Sequence, residues 1–249
     1  SDTGSITLTA DSMNLGSITV QTTGTGTVSL LQATNTTAIN IGTGATDSGG
    51  VLGLADTELA NIKSANGLTI GSNAGAFSGG VKVVGTQTFS GSNLTGGTLT
   101  LQSDTGKIDV NAALSSPINT TLSSNANDIT FGPSGALTAT LKAVTLIAGT
   151  GGAIVGNNGA TTNVTSNSLT ATANKGIGSA NKLTSNVTQL TANNTGGGAA
   201  GNVNLENAQS LSLGASGTVS NAASGGSIGV TITGNDNDLT ISNTVSTAG

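Results

Sequence analysis

Few residues in this chain have side chains that do chemistry, and their absences are as informative as their positions. The 249 residues contain no His, Cys, Trp or Tyr. The commonest general base, the thiol nucleophile and the usual transition-metal ligands are therefore missing. Serine is abundant, but a serine without a paired His or Lys is not an activated nucleophile. Paired carboxylates are the remaining route to acid–base work. Asp104 and Asp109 lie on neighbouring segments, with Lys107 between them, around TGKIDV. Asp109 alternates with Ile108 and Val110, so it is expected to face solvent, and the group reads as a solvated face. The run Asn235-Asp236-Asn237-Asp238 offers hard oxygen ligands of the kind calcium takes. It lacks the glycine-aspartate nonapeptide of calcium-binding rolls, and an Asx-rich turn is the expected reading.

Two further patterns bear on binding. Thr-x-Thr recurs at Thr7–Thr9, Thr98–Thr100, Thr138–Thr140, Thr170–Thr172 and Thr231–Thr233. Threonine arrays on a flat face can bind ice, but the irregular spacing of these motifs argues against one array and for ordinary strand threonine. Ring stacking on sugars is disfavoured because Trp and Tyr are absent. Asn-x-Ser/Thr triplets at Asn35, Asn93, Asn119, Asn163, Asn186 and Asn193 are about as frequent as chance gives in so Asn-, Ser- and Thr-rich a chain. The expectation is no catalytic residue, no cofactor site and no metal site. The six Lys are scattered, there is no Arg, and the net charge is −5, so no phosphate-binding face and no nucleic-acid partner is expected.

The elements that would position any site are short strands. From Gly176 to Ala222, apolar residues stand two apart: Val203 with Leu205, Leu211 with Leu213. Period-two alternation over about five residues marks a half-buried strand. Gly and Asn between the pairs mark turns, since both tolerate positive φ. The same pattern runs through Ile6/Leu8, Ile18/Val20, Val28/Leu30, Ile39/Ile41, Leu68/Ile70, Val81/Val83, Leu99/Leu101 and Ile108/Val110. It continues through Ile129/Phe131, Val230/Ile232 and Leu239/Ile241. The closely spaced 137–147 reads as a well-buried wall. Pro117 and Pro133 belong at turns or strand starts. The segment 47–66 is irregular. Its Leu54, Leu59 and Ile62 would suit one helical turn, but strands over Val51–Leu54 and 59–62 are favoured because so short a helix is marginal.

Composition selects the architecture. Charged residues make up 7% of the chain and aromatics 1%, with only Phe77, Phe89 and Phe131. A core of Val, Ile, Leu and Ala without aromatic bulk must be narrow, which suits a solenoid better than a sphere. Strand pairs recur about every ten residues. The expected fold class is all-β: a parallel β-helix (β-solenoid) of roughly ten coils, about 20–30 residues each, in one continuous segment over 1–249. Coils stacked about 4.8 Å apart make a rod of about 50 Å. Leu99, Leu101, Ile108, Val110, Val203, Leu205, Leu211 and Leu213 should point inward. Neither end reads as a cap, since Ser1–Ala10 and Asp238–Gly249 are ordinary rungs. The chain is accordingly expected to be an internal slice of a longer exoprotein or a subunit stacked end to end.

The phrases GIGSANKLTSNVTQLTANNTGGG, NVNLENAQSLSLG, NGLTIGS and GTLTLQSDTGKIDVNAAL resemble the repeat regions of filamentous-haemagglutinin-like exoproteins, which include two-partner-secretion adhesins and β-helical autotransporter passengers. The resemblance covers nearly the whole chain. The Asn-Pro motifs of the family's secretion domain are absent, so the chain looks like shaft. The resemblance implies a right-handed parallel β-helix, export through an outer-membrane secretion pore and display at a bacterial cell surface. The implied function is a non-catalytic structural shaft of a secreted adhesin or extracellular fibre. Its partners would be further copies or repeats stacked end to end, and a host or neighbouring-cell surface. A carbohydrate- or receptor-binding module is the alternative, followed by a polysaccharide-acting enzyme. No apolar run approaches the roughly 20 residues of a membrane span.

Overall fold

A computed structural model gives the architecture, describing residues 3–159, 161–197, 201–213 and 217–248. Strands account for 46% of the chain, and their parallel pairing winds it into a β-solenoid of about nine turns. The count falls just short of the ten expected because two coils are long. The step from Val28 to its partner Leu68 is 40 residues, and from Leu68 to Leu99 it is 31. The next coils, from Leu99 to Thr120 and on to Val144, take 21 and 24.

The middle coils visit three faces. The first is built from Ile6–Thr9, Val28–Leu31, Gly67–Ile70, Thr98–Ser103, Asn119–Ser124, 143–148, 168–173 and Gln189–Asn194. The second is a six-stranded sheet containing Val51–Leu54, Ala38–Ile41, Val81–Val83, Ile108–Val110, Ile129–Phe131 and Ile154–Val155. The third includes Ala113–Ser115, 136–139, 164–166, Leu183–Asn186, Val203–Asn207 and Ile228–Ile232.

The core is a set of aliphatic ladders. Inside the first face, Leu30, Ile70, Leu101, Leu122, Leu146, Ala171, Ala192 and Val219 stand in register, all fully buried. Inside the second, Leu52, Ile39, Val81, Ile108, Ile129 and Ile154 do the same, and Ile177 and Val203 extend the line. Each such side chain contributes roughly 1.5–3 kcal/mol of burial, available only when the neighbouring coil is present. The eight residues expected to face inward are all at most 3% exposed. Buried asparagines add polar ladders: Asn194 Nδ2 donates to Asn221 Oδ1 at 2.8 Å.

Four local expectations need correction. Residues 56–59 do form one helical turn, Asp56–Leu59, and the strand after it is Ile62–Lys63. Its neighbours stabilise it where intrinsic propensity would not: Leu59 is buried, and Glu58 Oε2 accepts the Ala55 N–H at 3.0 Å. Ile18 is exposed, the strand there being only Val20–Gln21. The 137–147 wall is one 13-residue strand, Ala136–Ala148, that turns a corner between faces. At that corner Leu141 adopts φ +60° and is 82% exposed. Asp109 faces outward but is only half exposed, because Thr130 on the next coil covers it.

The first strand, Ile6–Thr9, pairs on one side only and leaves Ile6 and Leu8 half-buried, but the excursion that follows the second coil's first strands differs from the last coil. After Ala38–Ile41 the chain turns back and lays Val51–Leu54 alongside it, with Ala38 opposite Val51. Two glycines permit the return. Gly42 has φ +101°, and a Cβ there would lie 2.1 Å from the Gly85 carbonyl oxygen. A Cβ on Gly53 would lie 2.2 Å from the Thr46 carbonyl carbon. The excursion is tied to the first coil: Leu15 N–H donates to Glu58 Oε1 at 3.0 Å, and Asn61 Nδ2 to the Leu15 carbonyl at 2.8 Å. Met13, Leu15, Leu52, Leu54, Leu59 and Ile62 are buried there. In the last coil Leu239, Ile241 and Val245 are 43%, 62% and 40% exposed.

Candidate functional site

The carboxylates that would be needed for acid–base work are held apart by different partners. Asp104 sits in a turn, accepting the Ala76 N–H at 3.0 Å and Asn125 Nδ2 at 3.1 Å. Asp109 lies on the second face and accepts the Thr130 hydroxyl. Lys107 pairs with Asp128, 3.4 Å away, and with neither of the other two. Asp109 and Lys107 do share a shallow groove of about 310 Å³ with Asn40, Lys82 and Asn127. Gly79, Gly80 and Gly106 along this groove pack against backbone of adjacent coils, so the glycines serve coil stacking. The arrangement is a polar ladder, Asn40–Lys82–Asp109–Thr130 in register, rather than a facing pair of carboxyls.

The NDND run forms a turn in which Asp236 takes φ +61°. Asn237 Nδ2 donates to the Thr233 carbonyl at 2.7 Å and the Ala208 carbonyl at 3.2 Å. The Asp238 N–H donates to Ser210 Oγ at 3.0 Å. These contacts tie the turn to the coil beneath. Among the described residues no group of three or more His, Cys, Asp or Glu is placed to hold a metal ion. Among them, too, no helix is long and apolar enough to cross a membrane.

The threonines are where sequence spacing misleads. The first face stacks Thr7, Ser29, Thr69, Thr100, Thr121, Thr145, Thr170 and Thr191 in one register column. Loops of unequal length absorb the irregular spacing, so a Thr column forms where none was expected. Only three of the five Thr-x-Thr motifs contribute. Thr138 faces outward on the third face beside Ser115 and Thr165, Thr140 lies at the corner, and Thr231 pairs with Glu206. The columns flanking the Thr column are mixed: Gln102, Ser123, Ile147, Thr172 and Asn193 align on one side. Sequence reasoning could have found the column by aligning strands on their buried pairs rather than by counting residues between motifs.

Two properties bear on what this column could bind. None of its eight hydroxyls has a hydrogen-bond partner among the described residues, a property shared with Ser115, Thr138 and Thr165 on the third face, whereas Thr130, Thr184 and Thr188 are engaged internally. And none of the eight first-face segments carries a charged residue, the exposed Lys142 standing at the corner just before 143–148, whereas Lys82 and Asp109 lie on the second face and Glu206 on the third. Comparison with known proteins finds no matching family, no matching curated relative and no matching solved structure.

Proposed function

We propose that this chain is a segment of a non-catalytic structural shaft, built by stacking β-coils in a secreted bacterial surface adhesin or extracellular fibre of filamentous-haemagglutinin-like type. One observation carries the reading. The last coil sets Ile228, Val230, Leu239, Ile241 and Val245 in register above Val203, Leu205, Leu211, Leu213 and Val219, all five of which are buried. The upper five are half-buried or exposed. They are spaced to receive another coil as the lower ones received them, and the edge strands leave a row of unpaired backbone groups. The occupant is a further β-coil with aliphatic residues at matching positions. A chain of 249 residues with neither His nor Cys fits a shaft better than an enzyme.

The test is light scattering of this chain on its own, with hydrogen exchange of the last coil. Concentration-dependent association, or fast exchange over 228–247 against slow exchange over 98–124, is the expected outcome. A monomer at every concentration with the last coil as protected as the middle would overturn the reading.

A further inference from the structure

We infer that the uncharged hydroxyl face described above is an ice-binding surface. The argument begins with what the face offers. Its Thr column repeats once per coil at the inter-strand spacing of about 4.8 Å, close to a lattice repeat of hexagonal ice. The hydroxyls have no hydrogen-bond partner among the described residues, so they face outward to order water. The γ-methyls beside them give the half-buried, partly apolar texture that releases water when two flat surfaces meet.

Other occupants fit less well. A protein partner needs buried anchors, usually aromatic or Arg; the eight strands carry neither. A soluble glycan would want aromatic rings to stack on, and a charged mineral or polyion would want charge. What remains is a neutral, periodic lattice of hydrogen-bonding groups. Lys82, Asp109 and Glu206 lie on the other two faces, where strongly hydrated charges would resist docking on ice, and Lys142 stands at the corner outside the column. On a shaft, such a face would hold the fibre flat against ice along its length, and this reading does not depend on the shaft proposal.

The experiment compares ice-recrystallisation inhibition and thermal hysteresis for the chain, for Thr121→Lys/Thr145→Lys, and for Asn204→Lys, which adds a charge to an exposed position on the third face. Thr121→Ala/Thr145→Ala serves if the lysines perturb folding, with circular dichroism melts on every variant. The unmodified chain and Asn204→Lys should inhibit recrystallisation equally. The column variants should need about tenfold more protein for the same effect, the loss that about 1.4 kcal/mol of contact corresponds to. No activity in the unmodified chain, or column variants as active as the control, would overturn the proposal. Co-sedimentation with crystalline cellulose in place of ice would overturn it in favour of a glycan surface.

Discussion

The excursion after Ala38–Ile41 and the last coil are made of the same aliphatic residues and end in opposite states, while the first strand, Ile6–Thr9, keeps Ile6 and Leu8 half-buried as Ile228 and Val230 are in the last coil. At the N-terminal end an excursion of some twenty residues doubles back, adds a strand beside Ala38–Ile41, and buries Leu52, Leu54, Leu59 and Ile62 completely. At the other end Leu239 and Ile241 repeat the alternation of Leu211 and Leu213 in perfect register and stay exposed. The residue types do not explain the contrast. The neighbouring coil does: a β-solenoid rung is half of an interface, and its leucines are core only where the other half is present. The polar work of holding the excursion falls to a few side chains, chiefly Glu58, whose two oxygens satisfy Ala55 and Leu15 N–H groups at once.

Charge insertion should break the comparison most visibly. Leu59→Asp and Leu101→Asp each place an unpaired carboxylate in a fully buried position, at a cost of about 3–5 kcal/mol. Ile241→Asp, in the same kind of strand position but 62% exposed, should cost under about 0.5 kcal/mol. Thr100→Asp, adjacent to Leu101 but facing out, should be equally mild and fixes the register, since a one-residue slip would exchange the two outcomes. Urea unfolding of the four variants is the measurement. Equal losses for Leu59→Asp and Ile241→Asp would mean that the ends are alike in solution.

Most of the fold was legible because strand periodicity and burial are the same fact here. Leu99, Leu101, Ile108 and Val110 could be placed inward from alternation alone, and the structure buries them. What escaped was decided between coils. Nothing in ADTELANI favours a helical turn as strongly as the contacts Glu58 and Leu59 find on the first coil. The corner at Leu141 was hidden in an apolar run, because an exposed leucine at φ +60° looks like any other leucine in sequence. The Thr column was hidden for the converse reason. Its members are 21 to 40 residues apart, and only the pairing register aligns them.

A smaller effect would sharpen the comparison from the closed side. The long N-terminal coils bury two amide oxygens, Gln32 Oε1 and Gln87 Oε1, with no partner among the described residues. Gln87 is 1% exposed and stands in the inward ladder of Leu114 and Leu137. An unsatisfied buried polar atom costs roughly 1–3 kcal/mol, and removing it with a side chain of similar volume recovers part of that. Gln87→Leu should therefore raise stability by about 1 kcal/mol, read as a higher urea midpoint at unchanged slope. A lower midpoint would show that the amide is engaged and that the third face is not apolar at this rung.

The smallest effect concerns a single carboxylate at the same end. Asp11 Oδ1 accepts the Ala33 and Thr34 N–H groups at 3.0 and 2.8 Å, and its Oδ2 accepts the Thr34 hydroxyl at 2.5 Å. The Thr34 hydroxyl first, then the Thr34 amide, hold the carboxyl below its ordinary value of 3.8. Because the folded state lowers this pKa, the ionised form stabilises the turn at all pH values above the ordinary one. That contribution fades as the pH falls from 3.8 through the lowered value and is gone when the carboxyl is protonated in both states. The group lies at the surface, half-exposed, so the change is local rather than global. Amide chemical shifts of Ala33 and Thr34, followed by NMR, should move with a midpoint below 3.8 in the unmodified chain and stay flat in Asp11→Asn. A midpoint at or above 3.8 would mean that the first turn is not latched to the second coil, and that the first coil is held by Glu58 and the buried leucines alone.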